Sequence, residues 1–179
     1  LLMYSMEIMK QAMEPLANSP EFASLLVAFS VPVLGLIIGA VFTGVIQSSA
    51  ASLGILQTMA LTGGITYGMA IPVIMGFNIG TCMTAILSSI GVNRNAKRVA
   101  VVHILINIIG AVICLSAWLI LDSIFHFPLA DTPATPVGMA LVHTIFNVAT
   151  TCMLLPFTKQ LEKLTMRILP DKKNDRNSS

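Results

Sequence analysis

The sequence predicts an all-α polytopic membrane protein, and three observations carry that prediction. Of 179 residues, 55% are hydrophobic and only 10% are charged, against roughly 25% charged in soluble domains. Residues 22–93 contain no Asp, Glu, Lys or Arg. Residues 99–121 and 137–157 are apolar runs that each supply the ~20 residues a spanning helix needs. The formal net charge of +2 says little by itself, and no nucleic-acid partner is expected. Cys82, Cys114 and Cys152 are odd in number and set in apolar runs. They read as small core residues, not as a disulfide or metal framework.

The first element is a helix over residues 1–17. Met3, Met6, Met9 and Met13 recur at helical spacing and read as a packing face. Glu7, Lys10 and Glu14 and the lack of a small-residue cleavage site argue against a signal peptide. The chain opens on Leu1 at full helical amplitude with no N-cap, as a piece of a longer protein would. "ANSP" (17–20) breaks the helix, and a short apolar segment leads on to Pro32.

Residues 33–91 are apolar but heavily interrupted. "VLGLIIGAVFTGVI" (33–46) runs straight into a polar knot at Gln47, Ser48, Ser49 and Ser52. "LGILQTMAL" (53–61) ends at Gly63-Gly64, and "TYGMAIPVIM" (66–75) leads to a second knot, "GFNIGT" (76–81). No half is long enough to span alone. The pattern predicts a re-entrant helical hairpin and then a broken helix, with irregular backbone at both knots. Such backbone survives at membrane depth only where it is buried in protein or lines a wet cavity.

The remaining elements are two full spans. A basic loop "NRNAKR" (93–98) precedes the first, and "HFPLADTPATP" (126–136), with Asp131 and no Lys or Arg, separates them. A tail with Lys159, Lys163, Arg167, Lys172, Lys173 and Arg176 comes after the second. The positive-inside rule places 93–98 and the tail in the cytoplasm and 126–136 outside. Residues 1–157 thus read as the transmembrane unit. Residues 158–179 read as a cytoplasmic segment, with 158–169 an amphipathic helix at the inner surface and a disordered end.

Each knot has its own chemistry. If the chain turns at 47–50, a new half-helix starts there. Its first N–H groups lack intrahelical partners, and the dipole adds positive potential. With Ser hydroxyls, that end suits an anion, and phosphate is the usual guest. Asn78, Thr81 and Thr84 belong to the second knot and its flank, and Gly76 and Gly80 permit unwound or closely approached backbone. Hydroxyl and carbonyl oxygens there suit a hard cation such as sodium. For a single Ser, packing or a bond to the preceding turn is the better reading. Two such clusters in one charge-free stretch make the site reading the stronger.

One motif repeats. "VVHILINIIG" (101–110) and "LVHTIFNVAT" (141–150) share V-H-x-x-x-N, which sets each His and Asn on one helix face. The favoured reading is structural: His103, Asn107, His143 and Asn147 hydrogen-bond across helices. A proton-relay or substrate role is the alternative, since intramembrane ionisable groups are functional candidates.

"TGVIQSSAASLGILQTMA" resembles the T-x-x-x-Q-S-S-S-A signature of type II sodium/phosphate cotransporters. "GFNIGTCMTAIL", "NRNAKRVAVVHILINIIG" and "LVHTIFNVATTCMLLPF" resemble the segments after that signature in bacterial members. Members contain two inverted repeats, each with a Q-S-S-type motif; this chain holds one and looks like the second. The resemblance implies sodium-coupled phosphate uptake across the plasma membrane. It requires a first repeat upstream or a second copy. Gln47, Ser48, Ser49, Thr81 and Thr84 would coordinate ion or substrate, with Asn78 close by. Substrate contacts are expected from Gln47, Ser48, Ser49, Ser52 and Asn78, and sodium contacts from Gln47, Ser48, Thr81 and Thr84. Ala50 replaces the third Ser of the motif, which removes one hydroxyl. Two other classes are weighed. A non-transporting membrane scaffold would fold without binding ions. An intramembrane enzyme using Ser48 or Ser49 with His103 would need a positioned base and a strained G-x-S-x-G-type turn, which "QSS" does not supply.

Overall fold

The computed structural model describes residues 27–62 and 64–170, with isolated positions at 4, 8, 11 and 24. The helix expected over 1–17, its Met stripe, Gly63 and the end of the tail lie outside the described residues.

Among the described residues, eight α-helices succeed one another: α1 Pro32–Ile46, α2 Ser49–Leu61, α3 Tyr67–Gly80, α4 Cys82–Ser88, α5 Arg94–Phe125, α6 Pro128–Asp131, α7 Pro136–Leu154 and α8 Thr158–Ile168. Starts are marked by sequence. Pro32 and Pro136 open α1 and α7 at positions where a missing N–H costs nothing. Asn93 caps α5 by accepting from Ala96 N at 2.9 Å, and Thr135 caps α7 by accepting from Gly138 N at 3.1 Å. Three described stretches are long and apolar enough to cross a membrane: Tyr67–Ser88, Arg94–Phe125 and Pro136–Ile168. At roughly 1.5 Å per residue, α1 and α2 reach only about 22 and 20 Å, short of the ~30 Å hydrocarbon core.

The chain reverses between α1 and α2. Thr43 and Ser52 bond across the turn at 2.8 Å. Phe29, Phe42, Leu56, Met59 and Phe77 close around an apolar cavity of about 70 Å³ between α1, α2 and α3. α1 and α3 run parallel in intimate contact through two G-x-x-x-G pairs, Gly35/Gly39 and Gly76/Gly80. A Cβ on Gly39 would run into the Val73 carbonyl, one on Gly76 into the Leu36 carbonyl, and one on Gly80 into the Ala40 carbonyl. Small residues here let two backbones approach closely, the usual packing of helices that have no hydrophobic drive to associate in lipid.

This packing corrects the expectation of irregular backbone over 76–81. Residues 76–80 are helical, and α3 and α4 are separated only by Thr81, itself right-handed at φ −63°, ψ −18°. The glycines serve contact with α1 rather than unwinding. The two halves, each too short alone, join across Thr81 into a stretch, Tyr67–Ser88, that is long enough to cross a membrane.

α3 sits at the centre. In the best spanning window, 61% of Tyr67–Ser88 is buried, against 17% for Arg94–Phe125 and 22% for Pro136–Ile168. α5 and α7 therefore keep broad apolar faces outward. At one end, the segment after α2 joins the segment before α7: Tyr67 N donates to Thr132 O at 3.0 Å and Ala134 N to Ile65 O at 2.9 Å. Gln57 Nε2 adds a bond to Pro136 O at 2.8 Å. At the other end, Arg98 donates to Leu169 O at 2.8 Å and Arg94 to Pro170 O. The basic loop and the end of α8 thus share one end of the molecule, as their charges led us to expect. α8 buries Leu161 and Thr165 and exposes Lys159, Lys163 and Arg167, so it is amphipathic. Cys82 is buried, but Cys152 is exposed, correcting its reading as a core residue. Its place on the outward face of α7 explains this.

Candidate functional site

The first knot is a true helix break. Gln47 takes a left-handed conformation at φ 60° and Ser48 an extended one at φ −145°, ψ 107°. Such a φ as that of Gln47 is costly for a residue with a side chain, so the surrounding contacts must hold it. Gln47 N still bonds Thr43 O at 2.6 Å. Ser48 Oγ accepts from Ala51 N at 3.2 Å and caps α2. Thr43 Oγ1 donates to Ser52 Oγ, which donates to Ser48 O at 3.0 Å. Thr43 and Ser52 are fully buried. This relay ties the end of α1 to the first turn of α2 and fixes the tip.

Close packing of α1 on α3 brings the tip beside Gly80 and Thr81. There an open cavity of about 580 Å³ gathers Ser49 from α2, Asn78 and Thr81 from the end of α3, His103 and Asn107 from α5, and His143, Asn147, Thr150 and Thr151 from α7. Among the described residues, no Asp, Glu, Lys or Arg lines it. On α5 and α7 the lining is possible because Gly110 lets Thr150 approach; a Cβ there would strike the Thr150 methyl.

The hydroxyls and amides of the cavity are partly committed. Thr81 Oγ1 donates to Asn78 O at 2.6 Å, and Thr84 Oγ1 to Thr81 O at 2.7 Å. Donation to a backbone carbonyl leaves the hydroxyl lone pairs free to accept or to coordinate. Asn107 Nδ2 donates to His103 O at 2.9 Å and Asn147 Nδ2 to His143 O at 2.8 Å. The expected His–Asn bonds across helices are therefore absent among the described residues; each Asn bonds back along its own helix. Asn78 Nδ2 and His143 Nε2 are buried with no hydrogen-bond partner among the described residues. Such groups are rare and call for an explanation.

The expected site residues are thus distributed. Ser49, Asn78 and Thr81 share the cavity. Ser48 lies half-buried at the head of α2, and Gln47 is exposed at the tip. Ser52 is enclosed in the tip relay, and Thr84 lies one turn beyond the cavity lining. Thr150 and Thr151 were not anticipated; they come after the second V-H-x-x-x-N at helical spacing, which is the one signal that could have found them. No hydrogen bond joins Ser48 or Ser49 to His103 among the described residues, and none of their His, Cys, Asp and Glu side chains cluster as a metal site.

Known proteins share this sequence pattern. YqeW of Bacillus subtilis is 34% identical over 76% of this chain and 44% of its own length. YjbB of Salmonella typhimurium, provisionally named for inorganic phosphate export, is 25% identical over 96% of this chain and 31% of its own. Human sodium-dependent phosphate transport protein 2B is 47% identical over 30% of this chain and 8% of its own. The chain thus spans less than half the length of these relatives. No solved structure matches it. The family model described as Na+/Pi-cotransporter matches residues 1–129, and the chain belongs to that family.

Proposed function

We propose that this chain forms one repeat of a carrier that moves inorganic phosphate together with sodium across the plasma membrane. The observation that carries the proposal is the uncharged polar cavity at the hairpin tip, lined by Ser49, Asn78 and Thr81. An anion in a site without Lys or Arg must be balanced by dipoles and by co-bound cations. Sodium is then part of the site, which is a physical basis for coupling. Ser48 and Ser49, at the amide-rich start of α2, and Asn78 are assigned to phosphate. Thr81 is assigned to sodium, with Thr84, Ser48 and Gln47 as further oxygen donors. Ser52 contributes through the tip it holds.

α1 and α2, both too short to span, are assigned as a re-entrant hairpin. Their tip and the open cavity expose polar groups that lipid cannot satisfy. An inverted first repeat, on the same chain upstream or in a second copy, would cover them and use Gln47. The basic segment 93–98, α8 and the tail are assigned to the cytoplasm, and 126–136 to the outside. A cysteine at Thr132 should react with an impermeant thiol reagent from outside, and one at Asn95 should not; reversed labelling would overturn the orientation.

The central test is labelled-phosphate flux in vesicles holding the complete assembly, with sodium gradients of either sign. Phosphate entry driven by an inward sodium gradient supports the proposal. Sodium-independent exit would favour the export that YjbB is named for. Absence of flux at normal abundance would favour a non-transporting scaffold.

A further inference from the structure

Beyond the knots, the cavity holds a second row of side chains to which the Q-S-S motif assigns no role: His103 and Asn107 on α5, His143 and Asn147 on α7. Their hydrogen bonding separates them. Both asparagines donate to the carbonyl four residues back. His103 is exposed. Among the described residues, His143 is the member whose Nε2 is buried and unpartnered, and Asn78, which lines the same cavity, carries the other such nitrogen, Nδ2. Asn78 is only 5% exposed.

The chemistry of these two atoms is alike. An amide nitrogen only donates, and an imidazole Nε2 donates in the tautomer that carries its proton there, the one an anionic occupant selects. Leaving a buried donor unsatisfied is costly, so the cavity favours an occupant rich in acceptors. Inorganic phosphate offers four oxygens. Separate waters satisfy the two donors one at a time, whereas a single phosphate accepts from both at once. We propose that His143 is a direct phosphate-binding residue, donating from Nε2 on the α7 side of the cavity while Asn78 Nδ2 donates from the α3 side. The anion is then held between the hairpin–α3 unit and the α5–α7 pair, so its binding joins the two parts. This rests on the phosphate reading above and adds a contact outside the Q-S-S motif.

The test uses the complete transporting assembly and measures half-saturation for phosphate at saturating sodium, and for sodium at saturating phosphate. His143→Gln carries an N–H near the position of Nε2 and should stay within about threefold of the parent. His143→Leu fills similar space without a donor and should raise the phosphate half-saturation roughly 5- to 150-fold, with the sodium value unchanged. An unchanged phosphate value in His143→Leu, or a change in the sodium value alone, overturns the assignment. A second measurement covers poor folding of that variant. In a background with native cysteines replaced, phosphate at saturating sodium should slow thiol labelling of His143→Cys at least about threefold; equal rates overturn the assignment. If the parent assembly moves no labelled phosphate under any gradient, the underlying reading fails as well. Flux in the parent with an indifferent His143 would overturn this inference alone.

Discussion

The two polar knots look alike in sequence and fold in opposite ways. At 46–50 the helix stops, with Gln47 left-handed and Ser48 extended. At 76–81 it continues with a single interruption at Thr81. The hydroxyls differ in direction. Ser48 Oγ accepts from an amide three residues ahead, which starts a helix. Thr81 Oγ1 donates to a carbonyl three residues behind, which is compatible with one continuing. The glycines differ in use as well. Gly76 and Gly80 face α1 so closely that no side chain fits. A polar cluster in an apolar run therefore signals a special position, and its hydrogen-bond direction decides whether the chain turns.

The comparison breaks most sharply at Gly76. Gly76→Leu should abolish folded protein or lower stability by about 3 kcal/mol or more. Gly44→Ala should be nearly silent, because its Cβ would meet the flexible Met83 side chain at 3.2 Å and the Gly80 carbonyl oxygen only at an ordinary 3.9 Å. Thermal unfolding of purified protein reads both, and equal effects would dissolve the packing role given to 76–80.

The tip relay comes next. Ser52→Ala leaves the buried Thr43 hydroxyl without its acceptor and should cost about 1–3 kcal/mol. Loss of Ser52 without a stability change would mean that the relay does not hold the hairpin. Ser48→Ala removes the α2 cap, worth about 1 kcal/mol. It should also weaken phosphate binding even at saturating sodium.

The smallest stability effects carry the functional contrast. Gln47→Gly suits the left-handed turn, and the relief offsets glycine's entropic cost to within about 1 kcal/mol. The melting temperature should hold while transport falls, if the side chain serves the site. Thr81→Val should change stability by less than about 0.5 kcal/mol yet raise the sodium concentration for half-maximal flux. Unchanged ion dependence in both, at normal abundance, would remove the knots from the site.

By itself the sequence determined the membrane character, the two long helices after residue 93 and the break at Gln47-Ser48. Each comes from local physics: apolar length, capping and the cost of charge in lipid. That the basic loop lies at the same end as the end of α8 was also legible, because the start of one antiparallel helix lies beside the end of the next. Tertiary structure alone decided that Gly76 and Gly80 pack rather than unwind, since that depends on the backbone of Leu36 and Ala40 some forty residues earlier. It alone separated Ser49 from Ser52, one facing the cavity and the other enclosed beneath it. The repeated V-H-x-x-x-N was visible in the sequence, but its meaning was not. Spacing puts His143 and Asn147 on one face of α7; only the packing of α7 beside α5 and α3 turned that face toward the knots, because a helix fixes which residues point together and its neighbours fix what they point at.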